Sequence, residues 1–123
     1  MESVFLNNEN KISEKGIYGV NFYTLGVKHT VIVDDYLLVK SDGAGGWKTH
    51  GSKVGLDGSL WGAILEKAFA KYTGNYEHTI GGNPALSLRT LYGSPEEYVK
   101  HKKLTAAALW TKLTAAEARG DIL

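Results

Sequence analysis

Four histidines (His29, His50, His78 and His101), the adjacent carboxylates Asp34 and Asp35, and the serines Ser52 and Ser87 are the residues from which an active site would have to be assembled. The histidines show neither HxxxH nor HxH spacing and have no acidic partner at metal-ligand spacing, so each reads as a surface or hydrogen-bonded histidine. Asp34 and Asp35 suggest a general acid and base, but neighbours on an extended strand point to opposite faces and cannot share one substrate. Neither HGSKVG around Ser52 nor PALSLR around Ser87 supplies the flanking glycines of a nucleophile elbow. The run GAGGWK lacks the spacing and the terminal Lys-Ser or Lys-Thr of a phosphate-binding loop. The chain contains no cysteine, which excludes disulfides, thiolate metal sites and any thiol nucleophile within these residues.

The elements that would hold such residues come from a chain of 123 residues, enough for one domain, whose 43 % hydrophobic and 22 % charged content is that of a soluble globular protein. A net charge of +1 gives no electrostatic case for nucleic acid, and the densest basic cluster, Lys100, His101, Lys102 and Lys103, reads as a solvated helix end or loop. No apolar run approaches the roughly 20 residues of a membrane span. The opening MESVFLNNENKISEK has neither a secretory apolar region nor an Arg-rich presequence, so the expected location is cytoplasmic.

The chain is organised around residues 60–77. Leu60, Trp61, Ile64, Leu65, Ala68, Phe69 and Tyr72 recur at the spacing of a helix with a broad apolar stripe, while Glu66, Lys67 and Lys71 fall off it. Ser59 is expected as its N-cap and Gly74 as the left-handed residue that ends it. Upstream, residues 1–15 read as a polar arm that docks through Phe5. Residues 17–33 read as a hairpin turning at Gly26, with Tyr18, Val20 and Phe22 on one face and Ile17, Asn21 and Tyr23 on the other. Six of the fifteen glycines fall in residues 40–58, expected as a surface loop from which Trp47 tucks back onto the core helix. Downstream, Asn83 and Pro84 open a short helix through Leu91 with Ala85, Leu88 and Leu91 on one face, and Gly93 closes it. Ser94-Pro95-Glu96-Glu97 predicts a capping box and a further helix to about Lys102. Ala106, Leu109, Trp110, Leu113 and Ala116 or Glu117 then predict a last helix between a Thr105 cap and Gly120.

Several of these stretches, in the same order, resemble the catalytic core of calpain-like cysteine proteases: GIYGVNFYTLGVKHTVIVDD, then LWGAILEKAFAKYTGNYEHTIGG, the LYG ending at Gly93, and ALWTKLTAAEARGDIL. After VIVDD the family continues with an apolar pair and a proline, whereas Tyr36, Leu37, Leu38 and Val39 follow here. The resemblance implies an α+β, partial papain-like fold: a hairpin, a central helix and three further helices. It implies an arm over 1–15, a remnant of the first lobe over 16–80 and a remnant of the second over 81–123. It places Gly81 and Gly82 in the groove where substrate backbone pairs, although a flexible turn before a helix accounts for them equally. The family's nucleophile and oxyanion-hole glutamine lie upstream of the hairpin, and its histidine and asparagine lie downstream of the last helix, so all four are expected to be missing. The acidic calcium ligand before the Trp helix aligns with Ser59, with Asp57 two residues away, and no metal or cofactor is expected.

Two readings follow. In the first, the chain is a non-catalytic calpain-like domain acting as a structural or scaffolding subunit, with Trp61, Phe69, Leu109 and Trp110 as candidate contacts to other protein chains. In the second, it is one piece of a calpain-type calcium-dependent cysteine endopeptidase whose Cys, His and Asn lie on other segments. A third, a module that holds or inhibits by binding extended peptide, stands behind these.

Overall fold

The computed structural model describes residues 4–6 and 12–121. Among them, four strands and three α-helices form an α+β structure: β1 (Ile17–Thr24), β2 (Val27–Asp34), β3 (Val39–Ser41), β4 (Trp47–Thr49), α1 (Trp61–Thr73), α2 (Pro84–Tyr92) and α3 (Ala106–Arg119), with single 3-10 turns at Glu77–Thr79 and His101–Lys103. No helix among the described residues is long and apolar enough to cross a membrane.

β1 and β2 pair antiparallel from Ile17 opposite Asp34 to Thr24 opposite Val27. The two linking residues, Leu25 and Gly26, have φ of 50° and 79°, the positive pair that matches a tight turn to the right-handed strand twist. This register puts Tyr18, Val20 and Phe22 beside Val33 on one buried face, where Ile64 and Ala68 of α1 close the core. Val20, Phe22 and Ala68 are 0 % exposed and Ile64 is 1 % exposed, the valine, phenylalanine and isoleucine side chains each contributing about 1.5–3 kcal/mol when fully buried. Phe22 stacks on Tyr72 at 4.9 Å and meets Phe69 edge-on at 5.7 Å. On the other face Asn21 is buried and accepts a 2.8 Å hydrogen bond from the Thr30 hydroxyl, so the polar side chain is satisfied. The end of α2 packs onto β1, with Gly93 directly against the Tyr23 ring.

Of the N-terminal arm, residues 4–6 are described; residues 1–3 and 7–11 lie outside the described residues. Phe5 bridges Val20 and packs against the core, as the sequence led one to expect.

Several expectations are corrected. Ser59 does not cap α1: its hydroxyl and amide are bonded to the Asp57 carboxylate, and Leu60 precedes the first helical turn without a side-chain cap. The other end of the helix is as expected: it stops at Thr73, where Gly74 at φ 112° turns the chain and Gly74 N closes on Ala70 O. The glycine-rich stretch contains a short ribbon, β3 against β4, whose turn is tied by Asp42 Oδ1 to the amides of Ala44 and Gly46. Trp47 sits opposite Ser41 at the turn end of that ribbon and is 75 % exposed; the loop reaches α1 through Ser52 instead.

Residues 94–100 are not helical. Ser94 donates to Tyr92 O rather than capping, and the two carboxylates of the expected capping box are drawn outward, Glu96 to Arg89 and Glu97 to Lys112 and Arg119. Asn83, Gly93, Thr105 and Gly120 do bound α2 and α3 as read from the sequence. On α2, Leu91 joins the core while Leu88 stays exposed.

Phe22→Ala is expected to cost about 3–5 kcal/mol by denaturant unfolding, because the ring fills the contact between hairpin and helix. Trp47→Ala is expected to stay within about 0.5 kcal/mol of the parent, since that ring is largely in solvent.

Candidate functional site

The region where chemistry is concentrated is the junction of the hairpin exit with α1, built from consecutive residues of the helix. Glu66 and Lys67 diverge from one turn of α1 toward different partners. Glu66 Oε2 accepts the Ser52 amide at 2.5 Å, and Gly51 passes so close that a Cβ there would meet the same carboxylate. Lys67 Nζ donates to Asp34 Oδ1, to Asp34 O at 3.2 Å and to Tyr36 O at 2.6 Å, fastening the end of β2 and the chain beyond it. One turn later Lys71 Nζ donates to Ile32 O at 2.8 Å. Both ammonium groups are engaged with the outward edge of β2.

These contacts set the local electrostatics. The hydrogen bond from Lys67, aided by the Tyr36 amide at 2.9 Å, holds the Asp34 carboxyl below its ordinary value of 3.8. Asp35, its neighbour, faces Gly16, so the two carboxylates do not converge, as expected for a strand. Tyr76 is pushed up by burial first and then by the charges of Glu66 and Asp34. A cavity of about 310 Å³ beside this junction is lined by Ile17, Ile32, Val33, Asp34, Lys67 and Lys71. Its charged groups are already paired with one another or with strand carbonyls.

The histidines remain apart. His29 and His50 each lie near a different tyrosine, Tyr72 and Tyr76, at 6.5 and 6.4 Å, and His78 Nδ1 lies 2.8 Å from Thr73 O at the end of α1. Among the described residues no group of three or more His, Asp or Glu side chains could hold a metal ion. Calcium takes six to eight oxygen ligands. At the position where the calpain resemblance implies a calcium ligand stands the neutral Ser59, and the neighbouring Asp57 carboxylate, held low by Ser59's hydroxyl and amide, is committed to a local turn. The residues present there do not fit a calcium site.

Gly81 and Gly82 follow the 3-10 turn with φ of 76° and 153°, conformations that favour glycine, and a Cβ on either would meet nothing within 4 Å among the described residues. Both are exposed, as is Ile80 before them. Of the four apolar contact candidates, Trp61 and Trp110 are 65 % and 68 % exposed, and Leu109 is half-buried. Phe69 packs within the core, against Phe22 and Tyr72. The linkage of Asp34 to Lys67 was not read from the sequence. Its signal was present, in a lysine off the apolar stripe of the central helix and a carboxylate at the strand end.

A profile of the calpain family of cysteine proteases matches residues 1–123. A calpain-type cysteine protease of Oryza sativa subsp. japonica is 32 % identical over 117 residues, covering 90 % of this chain and 5 % of that protein. A calpain-like protease of Emericella nidulans is 33 % identical over 118 residues, covering 91 % and 13 %. The calpain-1 catalytic subunit of Macaca fascicularis is 32 % identical over 108 residues, covering 88 % and 14 %. The chain belongs to the calpain family, and it spans 5 to 14 % of the length of these relatives. With no cysteine in its 123 residues, it does not itself contain the thiol that a cysteine protease uses as nucleophile.

Lys67→Met tests the junction. Because the folded Asp34 carboxyl titrates below 3.8, its contribution to stability is present above that value and is lost as pH falls through the lower folded value. In the variant the Asp34 pKa, followed by carboxyl-carbon NMR, is expected to rise back toward its ordinary value, and this part of the acid sensitivity should vanish. An unchanged Asp34 titration would refute the pairing.

Proposed function

We propose that this chain is a non-catalytic calpain-family domain that serves as a structural subunit among other protein chains. The observation that carries the reading is the lack of cysteine within a recognisable calpain core. Among the described residues no histidine stands within a cluster of ionisable groups able to hold a metal, and the sequence has no serine elbow. The acidic and basic residues of α1 act as fasteners: Glu66 holds the 50–52 loop and Lys67 the hairpin exit. Trp61, Leu109 and Trp110 offer apolar surface that a neighbouring chain would cover. In this reading Gly81 and Gly82 form a turn, and any groove they line has no cutting residue beside it.

The small share of each relative's length that the chain spans favours a second reading, in which these residues are one piece of a calpain-type endopeptidase whose nucleophile lies on another segment. Under that reading Gly81 and Gly82 would border an extended substrate.

Mass spectrometry of the protein from its native source separates the two. The structural reading expects a protein that copurifies with other chains and carries no cysteine-bearing calpain segment contiguous with these residues. Peptides running through residue 1 or 123 into a cysteine-bearing sequence would favour the second. The purified chain is expected not to degrade an unfolded protein; cleavage that follows the chain through successive purification steps would overturn the non-catalytic reading.

A further inference from the structure

We infer that Ser94 is a phosphorylation site, the acceptor for a proline-directed serine/threonine kinase, and that its phosphate takes the Arg89 guanidinium from Glu96. This inference is independent of whether the chain is a structural subunit or a protease piece.

It starts from a signature that the fold leaves unused. Ser94-Pro95-Glu96-Glu97 has the composition of a helix start, yet residues 93–100 form no helix and the serine caps nothing. Its hydroxyl donates to Tyr92 O at 3.5 Å, the long limit of a hydrogen bond. Residues 94–98 are all exposed, between the end of α2 at Tyr92 and the 3-10 turn that begins at His101. Pro95 disfavours helical backbone at Ser94. An exposed hydroxyl on a non-helical segment is what a kinase cleft can seat. The proline adds selectivity, because it has no amide N–H to leave unpaired in the kinase pocket that follows the acceptor. Ser94 is also the one Ser or Thr in the 123 residues that precedes proline, since Pro84 follows Asn83.

The charges around Ser94 decide what a phosphate would do there. Arg89 is the basic residue in the last turn of α2, and its Nη1 lies 3.4 Å from Glu96 Oε1 in a surface pair, a kind that contributes little. Phosphoserine carries about −1.5 to −2 charge at neutral pH and three acceptor oxygens, which a guanidinium grips in bidentate fashion. The new charge would stand at the negative end of the α2 dipole and beside Glu96 and Glu97, all of which oppose it. Arg89 is therefore the group that answers it, and Glu96 is the partner displaced. Glu97 pairs with Lys112 and Arg119, so the segment re-paired at Ser94 is also the one joined to α3. In the transfer, Ser94 Oγ bonds to the γ-phosphorus of ATP, the bond from that phosphorus to the β,γ-bridging oxygen breaks, ADP leaves, and the hydroxyl proton passes to the catalytic aspartate of the kinase.

The test treats the whole folded chain with ATP and a purified proline-directed kinase. The expected result is one phosphate per chain, located at Ser94 by mass spectrometry. None is expected on Ser94→Ala, nor on Pro95→Ala, which keeps the hydroxyl. Phosphate that persists at Ser94 in Pro95→Ala overturns the assignment to this kinase class. A folded chain that stays unmodified while the same kinase modifies a standard Ser-Pro peptide overturns the site. The role of Arg89 is read from the second ionisation of the phosphate, ordinarily about 6, followed by phosphorus NMR. Its midpoint is expected to lie lower in the phosphorylated parent than in phosphorylated Arg89→Met, because a paired cation favours the dianion. Coincident curves overturn the pairing. Should Arg89→Met fail to fold, the parent chain decides: the Arg89 Nε resonance is expected to follow the phosphate titration, and one that does not move on phosphorylation overturns the pairing.

Discussion

The contact of Val20 and Phe22 with Ile64 and Ala68 is the constraint on which the remaining arrangement depends. These four side chains are almost wholly removed from water, and they join an element near the start of the chain to one in its middle. Such a contact fixes the strand register as well as the packing, because a slip of one residue would carry Tyr18, Val20 and Phe22 to the opposite face. With the register set, Asp34 comes to the end of β2 directly beside Lys67. The polar junction is thus a consequence of apolar packing, and it needs no separate folding signal.

The charged residues divide by what they hold. Glu66, Lys67 and Lys71 tie loops and strand carbonyls to a helix that is already buried, so their hydrogen bonds form on a preorganised surface. Glu97 works under poorer conditions. It pairs with Lys112 and Arg119 of α3 from an exposed segment, where ion pairs contribute little net stability. Because α3 buries only Ala116, its place rests on weaker interactions than that of α1. In this calpain-family chain the last helix is lightly held, and Trp110 on it faces solvent.

Much of this was legible beforehand, for local reasons. The glycines at 26, 74, 93 and 120 mark positive-φ positions that punctuate the elements, and the alternation in residues 17–22 and the one-and-four spacing in residues 60–72 report burial directly. Caps at Asn83 and Thr105 are equally local, each a side-chain oxygen within three residues of the amide it accepts. What the sequence misplaced depends in part on partners remote along the chain. The carboxylates of the expected capping box at 94–97 pair instead with Arg89, Lys112 and Arg119, whereas the Ser59 cap is lost locally, to the Asp57 carboxylate two residues away. Trp47 was expected to tuck back onto the core helix, whereas its position in a two-stranded ribbon leaves it largely in solvent. For the candidate site, the lack of cysteine was plain at once, while the pairing of VIVDD with the EKA of α1 needed the fold.

Hydrogen exchange under native conditions, resolved by residue, tests the central claim that hairpin and α1 form one cooperative core to which α3 is loosely attached. The amides of Val20, Phe22, Ile64 and Ala68 should share the slowest rate, set by global unfolding, and those in the middle of α3 should open at lower free energy. Protection of Leu113 equal to that of Ile64 would contradict the account, because α3 would then belong to the core rather than lean on it.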